Sequence, residues 1–258
     1  MPTLARINVT VVKSTALQQV RYAALTDIGI PGNRRFFLID DGGRLFGGSA
    51  HGQLVQVTSA LDGETDVLTC TFPDGTVARG PVDRLGAAHD TDFYGRVVSG
   101  HEVEGPFADA FSSSVGAPVR LIRTDRDGDG SDVHPITIVS GASVAELGRR
   151  GAHAGELDPL RFRMNLELDG CAAFEEDGWD GRRVRIGDAV LRICGQVPRC
   201  VVTTQDPRTG LRDWNTLKQI ASFRPMMARR QGVPFGVYAE VEGPGLVRVG
   251  DRVALLST

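Results

Sequence analysis

Few side chains in this sequence of 258 residues are suited to soft-metal or nucleophilic chemistry. Four are cysteines, Cys70, Cys171, Cys194 and Cys200, and none forms a Cys-x-x-Cys pair. That spacing argues against a zinc knuckle or a thioredoxin-like dithiol. The histidines, His51, His89, His101, His134 and His153, are scattered, so a Cys-His dyad would have to be assembled by the fold. No P-loop, G-x-S-x-G or G-x-G-x-x-G fingerprint marks a nucleotide cofactor or a serine nucleophile. Cys200 stands apart. It follows Arg199 in the stretch QVPRCVVTTQDPRTG (196–210), ahead of a β-branched run and the polar turn Asp206–Gly210. A nearby cation favours the thiolate, the form that attacks carbon or binds metal. A turn at a strand end is also where sites tend to lie. A thiol packed inside a strand is the competing reading, and the neighbours of Cys200 alone leave both open.

The elements that must position Cys200 are mostly strands. The chain is glycine-rich, with 32 glycines, and long helical periodicity is scarce, so the expected class is a β-rich mixed α/β fold. ARINVTVV alternates Ile7, Val9 and Val11 as a strand does. RRFFLIDDGGRLFGG and DVLTCTFPDGTVARG each read as strand, turn, strand. The second places Cys70 in a β pattern as a core or surface thiol. Helices are expected in GPFADAFSSSVGAP, stopped by Gly116 and Pro118, and in SGASVAELGRRG, with a capping box from Ser143 to Glu146. DWNTLKQIASFR is a third, cut by Pro225. VRIGDAVLRI (184–193) and VRVGDRVALL (247–256) share an Arg-x-Gly-Asp turn, consistent with two ordinary hairpins or with two corners of one barrel. RTDRDGDGSDVH (123–134) lacks the twelfth-position glutamate of an EF-hand loop and reads as a flexible connector near a subdomain boundary.

Charge and hydropathy narrow the functional classes. The net charge of −3 gives no general basic field, so no nucleic-acid partner is expected. No apolar run reaches the ~20 residues that span a bilayer, and MPTLARINVTVVKS reads as a first strand rather than a signal peptide. A cytoplasmic protein with free thiols and no membrane association is the expectation.

RFRMNLELDG (161–170), FEEDGWDGRRVRIGD (174–188), VPRCVVTTQDPRTG (197–210), TLK (216–218), FGVYAEV (235–241) and GLVRVGDRVAL (245–255) occur in this order. Together they closely resemble the MOSC domain, the family of molybdenum cofactor sulfurase C-terminal domains. Within it they are most similar to the branch that holds the mitochondrial amidoxime-reducing component and its bacterial relatives. VVKS (11–14) and GNRRFFLID (32–40) resemble that branch's N-terminal β-barrel domain. The resemblance implies an N-terminal β-barrel-like domain over 1–95 packed on a C-terminal MOSC β-barrel over 96–258, with a molybdenum cofactor between them.

It also implies roles for individual residues. Cys200 matches the thiolate ligand of molybdenum, whose other ligands are the molybdopterin dithiolene and oxo groups. Lys13 and Arg35 match basic residues lining the cofactor site, where cations suit the pterin phosphate. Arg163 and Asn165 match the F-R-x-N element, Ser140 the helix entrance S-x-A-S, and Tyr238 the tyrosine of F-G-x-Y in the pocket wall. The plainer alternatives are surface charges for Lys13 and Arg35, and an ion pair with Glu167 for Arg163. Asn165 and Ser140 would then be turn and cap residues, with Trp179 and Phe174 in the core. The implied activity is reduction of N-hydroxylated compounds, such as amidoximes, hydroxylamines or N-oxides, by oxygen-atom removal. With no flavin, haem or iron–sulfur fingerprint in the chain, a separate electron-donor protein of flavoprotein, ferredoxin or cytochrome type is expected. A persulfide carrier using Cys200, or a non-catalytic cofactor carrier, is the alternative. The resemblance breaks at Met164, where relatives usually have proline, and at VVKS, which lacks a proline before the valine. It also breaks at LFGGSAHGQL (45–54), which has His51 and no arginine where relatives carry a threonine–arginine loop. An altered substrate range is the expectation from that loop.

Overall fold

A computed structural model describes residues 1–227 and 232–256. In the first half the elements are β1 (Thr3–Val9), β2 (Gln18–Val20), β3 (Tyr22–Leu25), β4 (Phe36–Asp40), β5 (Leu45–Phe46), β6 (Thr58–Asp62), β7 (Val67–Thr71), β8 (Val77–Pro81), β9 (Leu85–Asp92), β10 (Val97–Val103), α1 (Phe107–Val115) and β11 (Val119–Thr124). The second half has β12 (Ile136–Ser140), α2 (Gly141–Arg150), β13 (Leu166–Asp169), β14 (Arg183–Ile186), β15 (Ala189–Arg199), α3 (Thr216–Ala221), β16 (Val233–Gly243), β17 (Gly245–Arg248) and β18 (Val253–Leu255). The fold is β-rich with few helices, as the composition implies.

The strands form an eight-stranded sheet in the order β18-β14-β15-β16-β12-β13-β1-β2 and a five-stranded sheet in the order β5-β4-β11-β10-β9. A β6-β7-β8 meander and a β17-β3 pair complete the set. The halves interlock. β1 runs antiparallel to β13, so the N-terminus extends the sheet built by the second half. β10 and β11 pair with β9 and β4, so residues 97–124 share a sheet with the first half. A division at 95/96 falls inside the β9–β10 hairpin.

Burial explains the strand sequences. Phe36 and Leu38 enter one apolar cluster, Phe37 and Ile39 another. β4 is therefore buried on both faces, which is why FFLI shows no alternation. Each such side chain contributes roughly 1.5–3 kcal/mol by leaving water. The eight-stranded sheet encloses a third cluster, including Leu4, Ile7, Leu166, Leu191, Ala239 and Trp179.

The helices fall where the sequence pattern places them, with one changed cap. α1 ends at Gly116 in the left-handed conformation (φ 71°). α2 is capped by Ser140, whose hydroxyl accepts the Ser143 N–H, and not by Ser143. Glu146 instead binds Arg149 and Arg150. The two Arg-x-Gly-Asp turns differ. The first is a two-residue hairpin with Ile186 opposite Ala189 and Gly187 at φ 53°. The second links β17 and β18, which pair with different strands, and so forms a corner. The two turns abut, with Arg248 3.7 Å from Asp188.

Candidate functional site

Two prolines release the chain at Cys200. Pro198 on β15 faces Pro234 on β16, and neither can donate a ladder hydrogen bond. Pairing ends one residue later, at Arg199 opposite Val233, and the chain turns into a 3-10 segment, Val201–Thr204. The turn is tied to itself, because the Thr203 hydroxyl donates to Cys200 O (3.0 Å) and that of Thr204 to Val201 O (2.7 Å). Cys200 caps this turn in an extended conformation with its thiol side exposed.

Cys200 opens onto a cavity of about 110 Å³ between the two halves of the chain. Lys13, Arg34, Arg163 and Arg199 line it, with Asp132 as its one carboxylate. Thr137, Phe162, Val197 and Tyr238 also line it. Its backbone is held in unusual conformations. Among the described residues, seven non-glycines have positive φ, and four of them, Ser14, Arg34, Tyr94 and Arg163, line this cavity. Left-handed non-glycine backbone costs about 1–3 kcal/mol and persists where the surroundings enforce it, which is characteristic of functional sites. Here it aims two arginines, at φ 55° and 53°, into the same space.

The cations are held mainly by backbone carbonyls rather than by carboxylates. Arg34 donates to the Arg163 carbonyl (3.1 Å), and Arg163 to the Thr15 carbonyl (2.7 Å). Arg199 donates to the Phe162 carbonyl and to the Met164 sulfur (3.2 Å), and its guanidinium lies over the Phe162 ring. Its buried Nε has no protein partner among the described residues. Lys13 binds Asp132 (2.6 Å) and the Gly130 carbonyl (3.0 Å). Burial, then Arg34 and Arg163, depress the Lys13 ammonium below its usual range despite Asp132. Burial and Arg34 push Arg163 down to about 9. Burial alone would raise the Asp132 carboxyl, yet Lys13, Arg34 and Arg199 hold it well below the carboxylate range. Asp132 sits at the rim, about half exposed, so solvent screens much of this effect. Four cations against one rim carboxylate leave excess positive charge in a partly desolvated space. That is the electrostatic form of an anion site.

The fold sorts the residues singled out in the sequence. Lys13, Arg163, Cys200 and Tyr238 converge on the cavity. Arg35 does not. Its side chain reaches Thr124 (3.5 Å) in a groove shared with Arg123 and Asp127, and the neighbouring Arg34 takes the place in the cavity. Adjacent residues at the entrance to a strand point opposite ways, and the left-handed turn at Arg34 decides which one faces inward. Ser140 is fully buried behind the wall. It caps α2 and gives its N–H to the buried Glu176 (3.1 Å). Asn165 is also buried, and its side-chain oxygen accepts from Thr137 N and Oγ1. It therefore positions the wall residue Thr137 instead of lining the cavity. Glu167 binds Arg6 and Asn8, which removes it as a partner for Arg163. Trp179 and Phe174 pack in hydrophobic clusters.

Other lining residues were not singled out. Asp132 and His134 come from the 123–134 segment, expected only as a flexible connector but in fact a wall of the cavity. Its aspartates and glycines match general turn composition, so the sequence carried no separate signal. Met164 supports Arg199, so the departure from proline has a local use. His51 stacks on Phe46 at 3.6 Å between ring centroids, and burial lowers its pKa. It lies outside the cavity lining, to which its loop contributes Gly48 and Ser49. That loop docks on the Cys200 turn through glycine: a Cβ on Gly52 would stand 2.1 Å from the Gly210 carbonyl. Gln205 donates to Gly48 O (2.8 Å) across the same contact.

Comparison with known proteins gives the family of the chain. A family model of the MOSC domain matches residues 125–254, and one of the MOSC N-terminal beta barrel domain matches 1–118. The chain is 28% identical to human mitochondrial amidoxime-reducing component 1 over 98% of its own length and 83% of that protein. It is 27% identical to rat mitochondrial amidoxime reducing component 2 over 97% of itself and 82% of the relative. Among solved structures, the YUAD protein from Bacillus subtilis aligns with TM-score 0.45 and 15% identity, over 98% of this chain and 94% of that one. The domain matches run over nearly the whole chain, and it belongs to the MOSC family, with a MOSC N-terminal β-barrel domain preceding its MOSC domain.

Proposed function

We propose that the cavity binds a molybdenum cofactor, with Cys200 as the protein thiolate ligand of the metal. The loaded protein would then reduce N-hydroxylated compounds such as amidoximes, hydroxylamines or N-oxides. The supporting observation is the ring of Lys13, Arg34, Arg163 and Arg199 around an exposed thiol, opposed by a single carboxylate. A soft thiolate suits molybdenum bound to dithiolene sulfur, and the guanidinium forks and ammonium suit a pterin phosphate. The unpaired Nε of Arg199 and the excess positive charge fit an anionic occupant. The names of the similar amidoxime-reducing components support the substrate class.

When bound, the cofactor would supply two-electron removal of oxygen from an N–O bond, turning N–OH into N–H and water with two electrons and two protons. The chain's own work is to bind and orient. Cys200 would hold the metal. The basic residues would hold the phosphate, and the apolar lining of Phe162 and Val197 would limit the access of water. The electrons would come from a separate donor protein of flavoprotein, ferredoxin or cytochrome type.

The test is metal and pterin analysis of protein made in a host that synthesises the cofactor, followed by turnover of benzamidoxime with a reductant. One molybdenum and one pterin per chain are expected, with metal lost in Cys200→Ser. Protein without molybdenum, or a Cys200→Ser variant with full metal content, refutes the proposal. A persulfide on Cys200 without molybdenum would assign sulfur transfer instead. Rapid release of pterin to an apo-enzyme without turnover would assign cofactor carriage.

A further inference from the structure

Beside Tyr238, three donors from separate segments converge. His134 ends the connector before β12, Cys194 lies on β15 and Glu240 on β16. One ligand atom from each lies within 4.8 Å of the others, and all three residues are half-buried. Among the described residues no other group of three such donors meets. We propose that His134, Cys194 and Glu240 form a divalent transition-metal site, for zinc by its donor set. His134 also lines the Cys200 cavity, whereas Cys194 and Glu240 lie outside that lining, and the site does not rest on the proposed function of the cavity.

Imidazole nitrogen, thiolate sulfur and carboxylate oxygen together are a zinc donor set, with water completing a tetrahedron. The strand is shaped to present the thiol. Ile193 pairs with Ala239 and Gln196 with Val237, so Cys194 and Gly195 together oppose Tyr238 alone. This is a β-bulge, and Gly195 takes the required positive φ of 86°. Such bulges re-aim a side chain, here toward Glu240 on the neighbouring strand. His134 already hydrogen-bonds Glu240 through Nδ1 (3.1 Å), so two of the donors stand nearly at the separation a shared metal needs.

The charged neighbour is also provided for. Arg192 pairs with Glu240, but it also reaches Glu242 through Nε (3.2 Å). A metal taking Glu240 leaves the half-exposed Arg192 a carboxylate partner in Glu242. Coordination forms a metal–sulfur bond and releases the thiol proton to solvent, with no change of oxidation state. The consequence reaches the cavity. His134 closes the segment that supplies Asp132 and the Gly130 carbonyl, the two partners of Lys13. A metal at His134 would staple that segment to the sheet.

The experiment is calorimetric titration of chelator-stripped full-length protein with zinc chloride. One site per chain is expected, with a higher melting temperature in its presence. Cys194→Ser and His134→Gln should each lower affinity by more than the ~10–100-fold that follows loss of an outer-shell partner. Cys200→Ser should bind zinc unchanged. Cobalt(II) should give an intense near-ultraviolet thiolate-to-metal band that Cys194→Ser abolishes. Absence of stoichiometric zinc binding, wild-type affinity in Cys194→Ser, or loss of binding in Cys200→Ser would each overturn the assignment.

Discussion

Arg163 carries a charge that the ligand-free fold disfavours, and removing it should show how much. Burial and Arg34 bring the group from 12.5 to about 9, which bounds the penalty at roughly 5 kcal/mol. The side chain is partly exposed, so solvent screening leaves on the order of 2 kcal/mol. Arg163→Met keeps the aliphatic stem and the same backbone requirement at φ 53°. It loses the hydrogen bond to the Thr15 carbonyl, about 1 kcal/mol. The net expectation is a ligand-free protein about 1 kcal/mol more stable, a rise of ~2–4 °C in melting temperature at neutral pH. The same variant should lose most of the stabilisation that millimolar inorganic phosphate gives the wild type, because the anion site has lost a cation. Differential scanning calorimetry with and without phosphate reads both effects. A variant destabilised by more than about 1 kcal/mol and still stabilised by phosphate like the wild type would refute the excess-charge reasoning.

Gly52→Ala should destabilise the protein by ~1–3 kcal/mol, because its Cβ meets the Gly210 carbonyl at 2.1 Å and the Cys200 turn must shift; denaturant midpoints measure this. Ser140→Ala should lose about 1 kcal/mol of helix capping with ligand retention unchanged, since Ser140 lies behind the cavity; melting curves paired with molybdenum analysis separate the two effects. Cys70 is buried, and its thiol is pushed up to about 12 from 9.0. The unfolded chain therefore loses this proton first, so the Cys70 contribution to stability is intact below about pH 9 and falls as pH rises toward about 12. Urea unfolding of wild type and Cys70→Ala at pH 8, 10 and 11 should show a steeper loss in the wild type. Alkylation of the native protein should modify exposed Cys200 ahead of buried Cys70 and Cys171, as peptide mass spectrometry would show.

Much of this protein was legible in its residues because the relevant forces are local. Alternation and turn chemistry located several strands, Gly116 the end of α1, and the ordered motifs around FRMN, PRCVV and FGVY the family; α3 stops at Ala221, ahead of Pro225. Local pattern failed wherever adjacent residues had equal chemistry. Arg34 and Arg35 are interchangeable in sequence, and only the left-handed turn at Arg34 sends one guanidinium into the cavity and the other to Thr124. Ser140 and Ser143 could each cap α2, and the network around buried Glu176 selects Ser140. The aspartates of the 123–134 segment look like turn formers, and only its path along Lys13 makes Asp132 a charge partner. Strand partners 161 residues apart, such as Arg6 and Glu167, leave no local trace, yet their pairing frees Arg163 for the site. The sequence by itself therefore determined the β-rich class and the family, and singled out Cys200 as the candidate thiol. The tertiary structure decided which cations surround it, because charge is set by residue type while its direction and desolvation are set by packing between distant segments.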